Sequence, residues 1–223
     1  MLNFVLAESA LELVPKELRG SAAVASDTRR RGVPAGSMLL DRSFHHSAMS
    51  RLKDSEKRGR PDLVHAALLG VTGTPLYLNG RAKVFVHTYD NLVLDLQEKT
   101  RIPKNYLRFR GLMEKALVDK PGVGLVRMRN GGLRELLRAM SPDLVVGLSV
   151  QGRPMTFEEL AAKVAGAREA CAIVGGFPRG HFSPSTLSLL DELVRIDSRP
   201  MEAHVVVARL VYEIEKASGP TKR

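Results

Sequence analysis

The segment "EKRGRPDLVHAALL", residues 56–69, drives a dense group of cations straight into an apolar helical pattern. Pro61 suits the first helical position, and Asp62 complements the positive end of the helix dipole. Arg60 does neither, because a cation is unfavourable at that end. Something other than helix stability calls for the guanidinium. A second constellation is built on glycine. "GLSVQGRP" (147–154), "VGGFPRG" (174–180) and "RIDSRPM" (195–201) each follow a strand pattern, and in open α/β sheets ligands sit beyond the carboxyl ends of strands. Gly175 and Gly176 let backbone approach a ligand closely, while Gly180 lets the loop turn back. The spacing is GGxxxG rather than GxGxxG, and Pro178 interrupts the loop before a helix N-terminus could meet a pyrophosphate. That argues against a dinucleotide site and for a ligand held by backbone groups, such as an adenosine. A third constellation is Arg101, Lys104 and Arg108, spaced i, i+3, i+7, within roughly 60° of one another if helical. No acidic residue lies between Arg101 and Arg110, and an unneutralised stripe suits phosphates.

Other chemistries find little support. The six histidines include the adjacent His45 and His46, and there is no HExxH or CxxC spacing, so no metal site is expected. There is no GxSxG, and Cys171 within "ACAIV" reads as a buried, inert thiol.

The elements that must position these residues alternate along the chain. "NFVLA" reads as a strand and "ESALELVPKEL" as a helix interrupted at Pro15. "RGSAAVASDTRRRGVPAGS" reads as a loop, "MLLD" as a short strand, and residues 42–60 as a polar connection to a helix opened by Pro61. "KVFVHTY" and "LVLDL" follow as strands turning at Asp90 and Asn91. Pro103 opens a helix that "DKPG" closes; "GLVRMR" is a strand and "GGLRELLRAM" a helix. The strands "PDLVVGLSV", "ACAIVGG" and "LDELVRID" then alternate with the helices "TFEELAAKVAG", carrying the capping pair Thr156 and Glu159, and "MEAHVVVARLVYEIEKA". This is an α/β domain around a largely parallel sheet.

The chain has 223 residues, 44% of them hydrophobic, enough to bury a proper core. No apolar run approaches the ~20 residues of a membrane span, and Glu8 and Glu12 interrupt the N-terminus too early for a signal peptide. One cysteine allows no internal disulfide. The expectation is a soluble cytoplasmic protein with no membrane partner. Against 24 acidic residues stand 34 basic ones, a net charge of +10. They bunch: Arg29 to Arg31; Arg51, Lys53, Lys57, Arg58 and Arg60; Lys99, Arg101, Lys104, Arg108 and Arg110. Such clusters point to nucleic acid.

Four segments, "RGRPDLVHAALL", "HTYD", "RIPKNYLRFRGLMEKAL" and "VGGFPRG", together resemble the SPOUT-class ribosome-biogenesis methyltransferases that act on N1 of a pseudouridine in small-subunit rRNA, in their compact archaeal form. The resemblance runs over nearly the whole chain, with the motifs in family order. It implies a SPOUT-type α/β fold, a single domain over 1–223, with a basic loop at about 19–37 and a C-terminal trefoil knot at about 141–216 that binds S-adenosyl-L-methionine. Three knot loops would hold the cofactor: Ser149, Val150 and Gly152; Gly175, Gly176 and Gly180; Ile196, Asp197, Ser198, Arg199, Pro200 and Met201. It further implies a homodimer, small-subunit rRNA and ribosome-assembly proteins as partners, RNA gripped by Arg60, Arg101, Lys104 and Arg108, and a catalytic pair in which Asp62 holds Arg60 against the target nucleotide. As pseudouridine loses its N1–H proton, charge spreads onto the carbonyl oxygens conjugated with that nitrogen, where a fixed guanidinium stabilises it. The proton's acceptor stays open between Asp62, water and no protein group. The alternative reading is a non-catalytic rRNA-binding assembly factor, which would need no cofactor pocket.

Overall fold

The run "LNFVLAES" is buried along its whole length, as expected of a strand covered on both faces. It forms β1 (Leu2–Ser9) at the centre of the sheet in a computed structural model describing residues 1–119, 122–124 and 126–218. An excursion follows that contains α1 (Ala22–Arg31) and α2 (Arg42–Met49), before α3 (Pro61–Thr72) and the single turn α4 (Pro75–Leu78). Next come β2 (Ala82–Thr88), β3 (Val93–Leu96), α5 (Tyr106–Val118), β4 (Gly122–Val123), β5 (Val126–Arg129) and α6 (Leu133–Met140). The C-terminal part comprises β6 (Leu144–Pro154), α7 (Phe157–Gly166), β7 (Ala170–Gly175), α8 (Pro184–Leu187), β8 (Glu192–Arg195) and α9 (Ala203–Ala217).

Among the described residues the strands form one eight-stranded sheet, ordered β4-β5-β3-β2-β1-β7-β6-β8. The run from β2 through β1, β7 and β6 to β8 is parallel, and β3, β5 and β4 add an antiparallel edge. Sheet order reverses about β1, whose neighbours β2 and β7 come from the N-terminal and C-terminal halves of the chain. Alternation along β1 separates two cores. Leu2, Phe4 and Leu6 pack with α3, α5, α7 and α9, whereas Val5 and Ala7 pack with α6 and the segment around Phe182. A third, small cluster, including Val24, Met38 and Met49, sits under α1 and α2.

Several local expectations are corrected. "ESALELVPKEL" is not helical: past Ser9 it is irregular, apart from a 3-10 turn at Lys16–Leu18. The expected basic loop at 19–37 holds a ten-residue helix, α1, because Ser21 caps its start by accepting from the Val24 amide and Gly32, at φ 65°, ends it. "MLLD" contributes only one bridge, Leu39 to Leu13. The polar connection at 42–60 contains α2, capped by Asp41. No described helix is long and apolar enough to cross a membrane.

Candidate functional site

Beyond the carboxyl ends of β7 and β8, and against the middle of β6, lies a cavity of about 380 Å³. Ser149 and Val150 form part of it, with Gly175 and Gly180 of the second glycine loop and Ile196, Asp197, Arg199, Pro200 and Met201 of the third. Three residues expected there do not line it. Gly152 packs on β8, where a Cβ would collide with the Val194 backbone. Gly176 packs on the end of β1, where a Cβ would collide with Ser9 Oγ. Ser198 lies in the third loop but is not part of the wall. The sequence reading missed His181, Phe182, Glu202 and Val206, and also Leu63 of α3, which brings the cavity up to the Arg60 segment. Their signal was positional: each lies within a turn or two of a residue already singled out.

Arg60 is the residue before α3, with Pro61 at the first helical position. Its amide donates to the Ala10 carbonyl at 3.2 Å. Its Nε and Nη2 each donate to one oxygen of Asp62 at 2.8 Å, a bidentate fork. Nη1 has no partner among the described residues. Asp62 raises the affinity of Arg60 for its proton, opposed by partial burial, with Glu202 and Asp41 adding weaker pulls. Burial pushes the Asp62 carboxyl upward, yet its two bonds from Arg60 and the amides of the first turn win and hold it below the usual carboxylate range. Arg60 is not itself in the cavity wall, but Leu63 and Glu202 are.

The preceding loop is pinned from behind. Gly59, at φ 70°, turns the chain so that its carbonyl accepts from the Arg42 amide. Arg58 forms a buried fork with Glu12 at 2.7 and 2.6 Å and lies 4.4 Å from the Tyr89 ring centroid.

Arg101, Lys104 and Arg108 are exposed, and none forms an ion pair among the described residues. The expected single helical stripe is corrected, because α5 begins only at Tyr106. Asn105 caps it by accepting from the Arg108 amide, which leaves Arg101 and Lys104 in the loop before the helix and Arg108 in its first turn. That loop is fastened to α3, where His65 Nε2 donates to the Pro103 carbonyl at 2.6 Å and the His65 ring stacks 4.3 Å from Phe109. Asp62 and His65 lie i, i+3 on one side of α3, so the basic loop is tied down on the side that carries Asp62.

Residues 4–215 match the family model described as EMG1/NEP1 methyltransferase. The chain is 40% identical over 220 residues to a ribosomal RNA small subunit methyltransferase Nep1 of Pyrobaculum calidifontis, covering 96% of this chain and 98% of that one. The chain belongs to the EMG1/NEP1 methyltransferase family. A second relative of that name, from Thermococcus sibiricus, is 38% identical over 96% of this chain and 98% of its own. The crystal structure of Archaeoglobus fulgidus Nep1 bound to S-adenosylhomocysteine superposes with a TM-score of 0.86 at 34% identity, covering 96% of this chain and 97% of that one. The α/β fold with a largely parallel sheet is thus that of an EMG1/NEP1 protein throughout, the α1–α2 excursion lying inside the matched span.

Proposed function

We infer that this chain is an S-adenosyl-L-methionine-dependent methyltransferase that modifies N1 of a pseudouridine in small-subunit rRNA during ribosome biogenesis. The observation that carries this reading is the cavity beyond β7 and β8 and against β6, set against the Arg60–Asp62 fork in a chain of this family. The cavity suits the cofactor on its own terms. Its walls combine apolar surface from Leu63, Leu148 and Val206 with loop backbone, and the space beside Gly175 is closed to a side chain, since a Cβ there would lie 2.9 Å from the Phe177 ring. Asp197, held below the usual carboxylate range by the Arg199 amide and side chain, stays ionised to accept from sugar hydroxyls. Ser149, Val150, Gly175, Gly180 and the loop from Ile196 to Met201 would hold the nucleoside and amino-acid parts. When bound, the cofactor supplies an electrophilic methyl group.

Arg60 contributes transition-state stabilisation. Two of its donors are committed to Asp62, so the fork is fixed before substrate arrives, and Nη1 is left to meet the carbonyl oxygen on which charge grows. Asp62 orients rather than accepts the proton: both its oxygens are occupied and its basicity is depressed. The proton leaves to water. Arg101, Lys104 and Arg108 grip RNA phosphates. The family likeness also supports a single domain with a knot at about 141–216, a homodimer, cytoplasmic action and assembly proteins as partners. The test is transfer of a labelled methyl group to a pseudouridine-containing rRNA fragment, with the uridine version as control and calorimetry against S-adenosylhomocysteine alongside. Labelling of pseudouridine alone supports the reading. RNA binding without cofactor binding would establish the assembly-factor alternative.

A further inference from the structure

Lys57 lies three residues before Arg60, in the 3-10 turn Ser55–Lys57, yet its side chain runs to the cofactor-side loop. Its Nζ donates to Glu8 Oε2 at 2.7 Å and to the His181 carbonyl, and lies 4.6 Å from the Phe177 ring centroid. Gly180, at φ 95°, presses on the same side chain, where a Cβ would sit 3.0 Å from Lys57 Cε. Phe177, Gly180 and His181 all line the cavity, so the loop that walls it is wrapped around one lysine. Glu8 completes the link. It sits at the bulge ending β1, at φ 50°, where its amide donates to His87 Nδ1 at 3.1 Å. Its other carboxylate oxygen accepts from the amide and hydroxyl of Ser183, at 2.7 and 2.8 Å, just past the cavity loop. A non-glycine residue in the left-handed region is strained and persists where its surroundings over-determine it. Here the over-determination is three bonds reaching two segments, both of which belong to the site.

A second cavity, of about 560 Å³, is lined on the far side of this link by Glu8, Lys57 and Ser183. Its His87 is satisfied at both nitrogens, and its Tyr89 hydroxyl donates to Asp54.

We propose that Lys57 and Glu8 are positioning residues that couple the cofactor loop to Arg60, so that a filled cofactor cavity raises affinity for the target RNA and bound RNA raises affinity for the cofactor. The proposal rests on the reading under Proposed function. The mechanical path is short. On one side Lys57 holds Phe177, Gly180 and His181, and Glu8 holds Ser183. On the other, the chain runs through Arg58, clamped on Glu12, to Arg60, whose amide is fixed to Ala10. Lys57 joins the cofactor loop to this clamped segment, so the two move as one unit and a shift of the loop reaches the guanidinium. Coupling between two ligands is reciprocal and typically amounts to about 5–150-fold in affinity.

The experiment measures the dissociation constant of a pseudouridine-containing rRNA hairpin with and without saturating S-adenosylhomocysteine, for wild type, Lys57→Met, Lys57→Arg and Glu8→Gln. Melting curves accompany each variant. Wild type should bind RNA at least about 5-fold more tightly when the cofactor product is present. In Lys57→Met the ratio should fall to about one whatever the single-ligand affinities become, and Lys57→Arg should restore it. Glu8→Gln should show a reduced ratio, which decides the question if Lys57→Met does not fold. A purely structural role would lower both affinities together with the melting temperature and spare the ratio, and that result overturns the proposal. So does a wild-type ratio of one, even if methylation proceeds and the functional reading stands. Absence of S-adenosylhomocysteine binding by wild type would remove that reading, and the coupling with it.

Discussion

Removing Arg60 and removing Asp62 should have separable consequences, and the fork says by how much. On the proposed reading, Arg60→Ala deletes the guanidinium whose remaining donor, Nη1, meets charge as it develops. Loss of such a donor costs about 10²–10³ in turnover. Asp62→Ala leaves the guanidinium in place but frees it to move. Ordering an arginine side chain costs about 2 kcal/mol of rotamer entropy, part of which the fork has already met, so turnover should fall by roughly 10- to 30-fold at 1.4 kcal/mol per decade. Stability should change little, since Arg60 and Asp62 side chains retain 39% and 50% exposure. Such a half-exposed pair contributes at most about 1 kcal/mol, and a first-turn carboxylate about 0.3–1 kcal/mol. A chain of this size should therefore lose only about 2–6 °C in melting temperature on Asp62→Ala. Single-turnover methylation of a pseudouridine-containing RNA by both folded variants is the assay. The pH profile adds a check: with Asp62 already ionised at neutrality, no limb of the rate near pH 5–7 should vanish in Asp62→Ala. If Asp62→Ala were dead while Arg60→Ala kept most of its activity, the orienting role would be refuted and Asp62 would be the base.

Gly175→Val should weaken S-adenosylhomocysteine binding more than tenfold in calorimetry, because the new side chain drives the Phe177 ring, 2.9 Å from the Cβ position, into the cavity. An unchanged affinity in a folded variant would place the ligand elsewhere. Lys104→Ala should flatten the salt dependence of RNA binding by about one unit of slope without touching cofactor affinity; equal slopes would make it a solvated lysine. Light scattering at micromolar concentration should return about twice the chain mass of 24.5 kDa, and a monomer that methylates RNA would remove the dimer. Acidification should lower stability from about pH 6.5 downward, because burial depresses the affinity of His45 and His87 for protons. Each uses Nδ1 as an acceptor, from the Asp41 and Glu8 amides respectively. The unfolded chain then takes up protons that the native one refuses. Urea melts at pH 7.5 and 5.5 would test this, and a His87→Gln variant should show a smaller loss.

Elements whose own residues state both ends were legible. Pro61 and Asp62 open α3, Thr156 and Glu159 form the capping box of α7, and the apolar runs of β1, β7 and β6 lie side by side as parallel strands of the sheet. The glycine loops were legible too, as a group: most of their named residues do meet at one cavity. What a glycine does there was not. Gly175 borders the cavity, whereas Gly152 and Gly176 allow backbone contacts with β8 and β1, a distinction that depends on what lies across from each. The start of α5 was misplaced because Pro103 carries a helix-start signal while Asn105 makes the cap. In 19–37, glycine and serine were read as loop residues when Ser21 and Gly32 are the two caps of α1.

The misreading of "ESALE" is more instructive, because it falls where the site is assembled. By propensity, glutamate, alanine and leucine favour a helix. In the fold Glu8 and Ser9 end β1 and the rest runs on as irregular chain, and most of these residues hold a different piece of the site. Glu8 takes Lys57 and Ser183; the Ser9 carbonyl accepts from the Tyr89 amide at 3.0 Å. Ala10 donates to the Gly176 carbonyl at 2.8 Å and accepts from Arg60, and Glu12 holds Arg58. A helix here would turn these backbone groups inward upon one another and leave Arg58 buried without its carboxylate, which costs about 3–5 kcal/mol for a broken buried pair. That exceeds the few tenths of a kilocalorie per residue that helix propensity offers over five positions. Tertiary bonds therefore decide the conformation, and they do so where the cofactor loop, the arginine loop and the central strand must meet. A local rule that fails at such a point marks a functional junction.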